Sequence, residues 1–173
     1  ATSTSITTGA DADFIRVADA SALTAVSGGS GSDTLFITDT LSSSATLTSI
    51  ETITISATKT FSTDASILDG KTITLNGTGA TNITNVDSTP AVDLSNITVS
   101  SGTAKAIVDS NMVFSGSLDA AKAISFEVNN GVTLTATADK LNGVSVDDAS
   151  GGSATTAVTA LDATLAADLS TIT

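Results

Sequence analysis

In the first half of the chain the apolar residues come in pairs two positions apart: Ile15 and Val17, Leu35 and Ile37, Ile53 and Ile55, Ile73 and Leu75. Alternate residues of an extended strand share a face, so each pair predicts one strand with one apolar side. The pairs recur at intervals of 20, 18 and 20 residues. A meander of hairpins would place a strand every 8 to 12 residues or so. One clear strand per coil, joined by polar corners, is the pattern of a parallel β-solenoid. Stacking successive pairs predicts two inward ladders, Leu35 over Ile53 over Ile73 and Ile37 over Ile55 over Leu75. The outward neighbours are then Thr52 and Thr54, and Thr72 and Thr74, with Arg16 and Phe36 in the earlier coils.

Further along, the period loosens. Leu47 and Ile50 are placed to fill a corner, Gly70, Gly77 and Gly79 mark turns, and Pro90 suits a strand edge. Ile97 and Val99 restart the pattern 24 residues after Ile73, followed by apolar strands at 107–108, 112–114, 124–128, 132–134 and 144–146. Asn129-Asn130-Gly131 between two alternating runs also reads as a hairpin turn, which would make one antiparallel excursion. Between Ala154 and Leu169, the spacing of Val158, Leu161, Leu165 and Leu169 is near-helical, so a short helix is the alternative there. Residues 1–8 are expected to complete a partial first layer. The segment from Asp93 to Thr98 recurs from Asp168 to Thr173, where a strand should begin, so the expectation is a piece of a larger repetitive protein. The fold class expected is all-β, a right-handed parallel β-helix or β-solenoid forming one domain over 1–173, with coils of 18 to 24 residues and a short C-terminal helix or irregular coil.

The corners repeat as well as the strands. Gly9-Ala10-Asp11-Ala12-Asp13 and Gly29-Ser30-Gly31-Ser32-Asp33 lie 20 residues apart, in the same register as the apolar pairs. Asp13, Asp33 and Glu51 fall in one column, with Lys71 expected to follow, either as solvated corners or as an ion-binding edge. If the two turns stack, oxygens of Asp11, Asp13 and Asp33 and carbonyls near Gly29 and Gly31 could converge between coils about 4.8 Å apart. Six to eight hard oxygens are the coordination shell of calcium.

Composition changes the picture in three ways. Five Phe, no Trp and no Tyr exclude a core of interlocked aromatics and suit a narrow stack of small and β-branched residues. Eighteen acids against six bases give a net charge of −12, which excludes nucleic acid as a partner and favours cations. Zero Cys and zero His remove disulfides, thiolate metal sites and the commonest general base. No apolar run of membrane-spanning length and no secretory leader at residue 1 are present, so a soluble piece with no membrane insertion is expected.

Residues Gly28-Gly29-Ser30-Gly31-Ser32-Asp33-Thr34-Leu35-Phe36 match every fixed position of the calcium-binding nonapeptide repeat, and so the chain resembles RTX-type secreted proteins. The stretch from Leu47 to Ile55 is similar to strands of bacterial surface-layer proteins and large secreted adhesins. The resemblance covers residues 9 to 100 and implies calcium-dependent folding outside the cell, with a structural or adhesive role. One departure stands out: a single intact nonapeptide is present, and Asp11 replaces a motif glycine in the upstream copy.

The expected function is a structural or adhesive segment of a bacterial extracellular surface protein, not an enzyme, whose partners are neighbouring repeats, further copies of itself or a cell-surface glycan. The alternatives are a carbohydrate-active β-helix enzyme and an ice-binding solenoid. The first would need clustered acids, and the adjacent pair Asp147 and Asp148 points to opposite faces of a strand. The second would use the Thr52/Thr54 and Thr72/Thr74 pairs. Sequons at Asn76, Asn82 and Asn96 arise readily in Asn- and Thr-rich strands.

Overall fold

A computed structural model of the chain describes residues 4–18, 23–86, 91–119, 123–149 and 153–159. Every strand pairing in it is parallel, and the chain winds into a β-solenoid of about seven turns. Four ladders run along the stack. The first sheet contains Thr4–Thr7, Leu23–Ser27 and Thr46–Thr48. The second contains Phe14–Val17, Thr34–Ile37, Thr52–Ile55, Ile73–Gly77 and Ile97–Val99. The third runs from Leu41–Ser43 through Thr60–Asp64, Ala80–Thr84, Thr103–Val108 and Ile124–Val128 to Val146–Asp148. The fourth joins Met112–Phe114, Thr133–Thr137 and Thr155–Thr159.

Each sheet alternates buried and exposed residues, because one face lines a common lumen. Ile15, Val17, Leu35, Ile37, Ile53 and Ile55 are all buried and belong to one continuous core. On the third sheet Phe61, Ile83, Ala106 and Phe126 project the same way. Two aromatic rings thicken the core where Phe114 meets Phe126 edge to face, centroids 5.0 Å apart.

Register differs from the sequence expectation after the third coil. Leu35 stands over Ile53 and Ile37 over Ile55, as expected. Ile53, however, lies beside Leu75 and Ile55 beside Gly77, two residues further along than the apolar pairs suggest. On that side Ile73 falls level with Glu51; on its other side it pairs with Ile97, and Leu75 with Val99, as the 24-residue spacing predicts. The slip brings the Gly77 backbone against Ile55: a Cβ on Gly77 would fall 2.1 Å from the Ile55 carbonyl oxygen, and Gly77 has φ +88°. Only glycine adopts that conformation there without strain.

Two further expectations are corrected. The run through Asn129 to Gly131 is no hairpin, because Ile124–Val128 and Thr133–Thr137 belong to different sheets and each pairs only in parallel. At the C-terminal end Thr155–Thr159 is a strand laid on Thr133–Thr137 rather than part of a helix; Leu161, Leu165, Leu169 and the repeat from Asp168 lie outside the described residues, as does Pro90. The two short helices sit elsewhere, at Ala65–Leu68 (α1) and Ala138–Leu141 (α2). α1 starts on a cap in which Asp64 accepts from the Ser66 amide, 2.9 Å away.

Several strands carry no apolar pair in the sequence, and polar residues enter the lumen with them. Thr63 and Thr81 are 2% and 1% exposed, and neither hydroxyl has a hydrogen-bond partner. A buried hydroxyl without a partner costs its desolvation. Thr63→Val and Thr81→Val should therefore each raise stability, by up to about 1–3 kcal/mol on chemical denaturation. Ile53→Ala, in the same core, should lower it by about 2–5 kcal/mol. Gly77→Ala should destabilise although it adds apolar surface, and a neutral result there would contradict the two-residue register slip.

Candidate functional site

The two glycine-aspartate turns stack directly. Ala10 bridges Ser30 in parallel, and the Ser30 amide donates to the Gly9 carbonyl at 3.1 Å. Glycine is required because the coils touch. A Cβ on Gly29 would lie 1.9 Å from the Gly9 carbonyl oxygen and one on Gly31 2.1 Å from that of Asp11, with φ +95° and +143° at the two glycines. Asp11 itself has φ +80° and is exposed where the full motif would carry glycine.

Asp33 lies at the centre of the corner. It is fully buried, and its Oδ1 accepts from the Asp13 amide at 2.8 Å, one coil back. The Asp33 amide in turn donates to Glu51 Oε2 at 2.8 Å, one coil on. Asp13 Oδ2 accepts from Gly9 within its own turn at 3.2 Å. The expected column is real for Asp13, Asp33 and Glu51. Lys71 is not its fourth member, since the register slip puts Ile73 level with Glu51: the Thr74 amide donates to the Glu51 carbonyl at 2.8 Å.

The carboxylates of this column serve the backbone. Where a corner interrupts the sheet, an amide that would have joined a β-ladder is given a side-chain acceptor from the adjacent coil. The device recurs away from the motif. The Asp93 amide donates to Asp69 Oδ1 and the Thr133 amide to Asn111 Oδ1, each at 2.7 Å across 24 and 22 residues.

Calcium would need six to eight oxygens around one point. Asp11, Asp13, Asp33, Gly29 and Gly31 are brought into one corner, but among the described residues no three carboxylates gather into a group that could hold a metal ion. Asp33 Oδ2 is the one buried oxygen here without a partner. It faces Gly28, where a Cβ would fall 2.4 Å from it and 2.2 Å from the Ser49 carbonyl oxygen. Of the other carboxylate oxygens in the corner, Asp33 Oδ1 and Asp13 Oδ2 are already taken up by backbone amides.

The remaining charged groups are spread over the surface. Asp39 is held below the usual carboxylate range by its hydrogen bond from Lys59, 2.9 Å away. Asp93 is lowered by the Ser95 hydroxyl and amide. For Asp64 burial opposes ionisation, and the bonds from Ser66 and Asn85 outweigh it, so its carboxyl is lowered too. Lys105 pairs with Glu127, whose strand neighbour is Asp147. In the ladder Asp147 stands beside Glu127 and Asp148 beside Val128; both acids are half-buried and line one pocket with Val146, Ala154, Thr155 and Thr156.

Protein-family models, curated proteins and solved structures were compared with the chain, and none of them matches it.

The outer side of the second sheet was visible in the sequence only in part. Thr52 lies beside Thr74, but Thr54 lies beside Asn76, so the Thr52/Thr54 and Thr72/Thr74 pairs do not stack as two matching ranks. Phe14, not singled out from the sequence, is 65% exposed and meets the Phe36 ring at 5.4 Å. Its signal was its alternation with Ile15, which turns it outward beside Arg16.

Asp33→Ala should cost about 1–3 kcal/mol by stranding the Asp13 amide, with Asp33→Asn, which keeps an acceptor, in between. At fixed ionic strength the melting temperature should be equal in calcium, magnesium and EGTA; a rise specific to calcium, abolished in Asp33→Ala, would show that the corner closes around an ion. Acid should destabilise the fold below about pH 4. The lowered pKa values of Asp39, Asp64 and Asp93 mean that the unfolded chain binds more protons there, so stability is present above the ordinary carboxylate pKa and lost as pH falls through the lowered values.

Proposed function

We propose that the chain is a structural or adhesive segment of a bacterial extracellular surface protein. The observation that carries this reading is the continuity of bonding along the stack. Backbone ladders of five and six strands run from coil to coil in the second and third sheets, with three-stranded ladders beside them, and the corners are tied across coils by Asp33, Glu51, Asp69 and Asn111. A stack held this way gives a protease few exposed strand edges and distributes a pull over many parallel bonds. The acidic, Cys-free composition adds support, since neither redox state nor nucleic acid bears on such a rod.

The acids support a non-catalytic reading. Asp33 is spent on an amide, and Asp147 and Asp148 share a pocket lined otherwise by Val128, Val146, Ala154, Thr155 and Thr156, with no basic or aromatic side chain beside them. Among the described residues no helix is long and apolar enough to cross a membrane.

Treating intact producing cells with protease and following the chain with an antibody tests the location. Loss of signal without lysis is the expected result, and protection until lysis would place the protein inside the cell. The purified chain should release no reducing ends from a panel of polysaccharides, and release that depends on Asp147 would establish an enzyme.

A further inference from the structure

The outer side of the second sheet carries a feature that folding does not require. Of the five Phe, residues 61, 114 and 126 are buried. Phe14 and Phe36 face outward on adjacent coils, ring centroids 5.4 Å apart and tilted by 44°. Arg16, the only arginine in the chain, is exposed and stands beside Phe36 in the ladder. Phe14 is 65% exposed and Phe36 half-buried; the Phe14 ring forgoes the burial that rings usually supply, so this face calls for a partner.

The rest of the face shows what that partner must be. From Phe14 the outward column continues through Thr34, Thr52, Thr74 and Thr98, and from Phe36 through Thr54 and Asn76. Hydroxyl and amide groups therefore follow the rings at the strand spacing of about 4.8 Å, and at Thr74 the face opens on a pocket shared with Glu51, Lys71 and Thr72. A protein partner would need about 800 Å² of contact with an apolar centre, and beyond two rings this face is polar. A sugar ring needs less: a flat set of C–H groups to lie on an aromatic ring and a rim of hydroxyls to meet hydrogen-bonding side chains. With a net charge of −12, the molecule repels acidic polymers.

We propose that this face binds a neutral glycan, one sugar ring resting on Phe14 and Phe36, Arg16 donating to its hydroxyls, and the following sugars crossing Thr34, Thr52, Thr54, Thr74 and Asn76. This names a partner for the adhesive reading and rests on that reading only for where the glycan is met. Binding is measured on purified protein and location on intact cells, so either can fail alone.

The test is affinity electrophoresis of the full chain through gels containing hydroxyethyl cellulose, dextran or galactomannan, with alginate as the acidic comparator. The variants are Phe14→Ala, Phe36→Ala and Arg16→Gln, with Val113→Ala as an exposed control on the fourth sheet. Because all four side chains face outward, circular dichroism should show unchanged folding. At least one neutral glycan should retard the wild type, in high salt as in low. Each Phe variant should bind about tenfold more weakly, Arg16→Gln should bind more weakly too, and Val113→Ala should not change. No retardation in any neutral glycan, retardation by alginate alone, or equal retardation of both Phe variants would overturn the proposal. So would sedimentation in which Phe14→Ala dissolves a dimer, since the face would then belong to a second copy.

Discussion

Everything in this molecule depends on parallel pairing between residues one coil apart, 18 to 24 positions along the chain. A parallel ladder between consecutive coils fixes which side chains point inward, and the lumen is narrow, so the same few columns must be filled in every layer. That is why Leu, Ile and Val recur in register and why aromatic rings enter the core at only a few places. It also explains why each coil tolerates irregular corners: a residue inserted in a corner lengthens a loop without moving a column.

The corners face a different problem. Backbone amides leave the ladder wherever the chain turns, and a buried amide without an acceptor is costly. Here the acceptor comes from a side chain one coil away, Asp33 for Asp13 and Glu51 for Asp33 near the start of the stack, Asp69 for Asp93 and Asn111 for Thr133 later. A motif that resembles a calcium-binding repeat is thereby used to extend hydrogen bonding around a bend. Glycine lets the coils close to contact distance, and the carboxylate takes up the amides that closing leaves over.

Stability and recognition occupy different sides of the same strands. In Phe14–Val17, Ile15 and Val17 build the core while Phe14 and Arg16 remain in solvent. Alternation lets the outward set change freely, which makes a solenoid face a suitable place for a binding surface. Outward threonines along the second sheet add strand propensity without committing the surface to apolar contact.

The sequence by itself determined the coil length, the parallel stacking and the inward role of Ile15, Val17, Leu35, Ile37, Ile53 and Ile55, because a glycine-aspartate corner and an apolar pair repeat at one interval. It also determined that the two glycine turns meet, since nothing else keeps both features in step. Tertiary structure alone decided the register beyond Ile55. A shift of one residue would turn every side chain over, but a shift of two preserves inside and outside, so the pattern of apolar residues cannot tell Ile73 from Leu75 as the neighbour of Ile53. The choice falls to close contact, in which Gly77 admits the Ile55 carbonyl and Ile73 falls level with Glu51. The strands at Thr60–Asp64 and Ala80–Thr84 were hidden for a related reason: Thr63 and Thr81 occupy inward positions that an apolar pattern leaves blank. The purpose of the acids was likewise decided in three dimensions, because whether a carboxylate meets an ion or an amide depends on what the neighbouring coil places within about 3 Å of it.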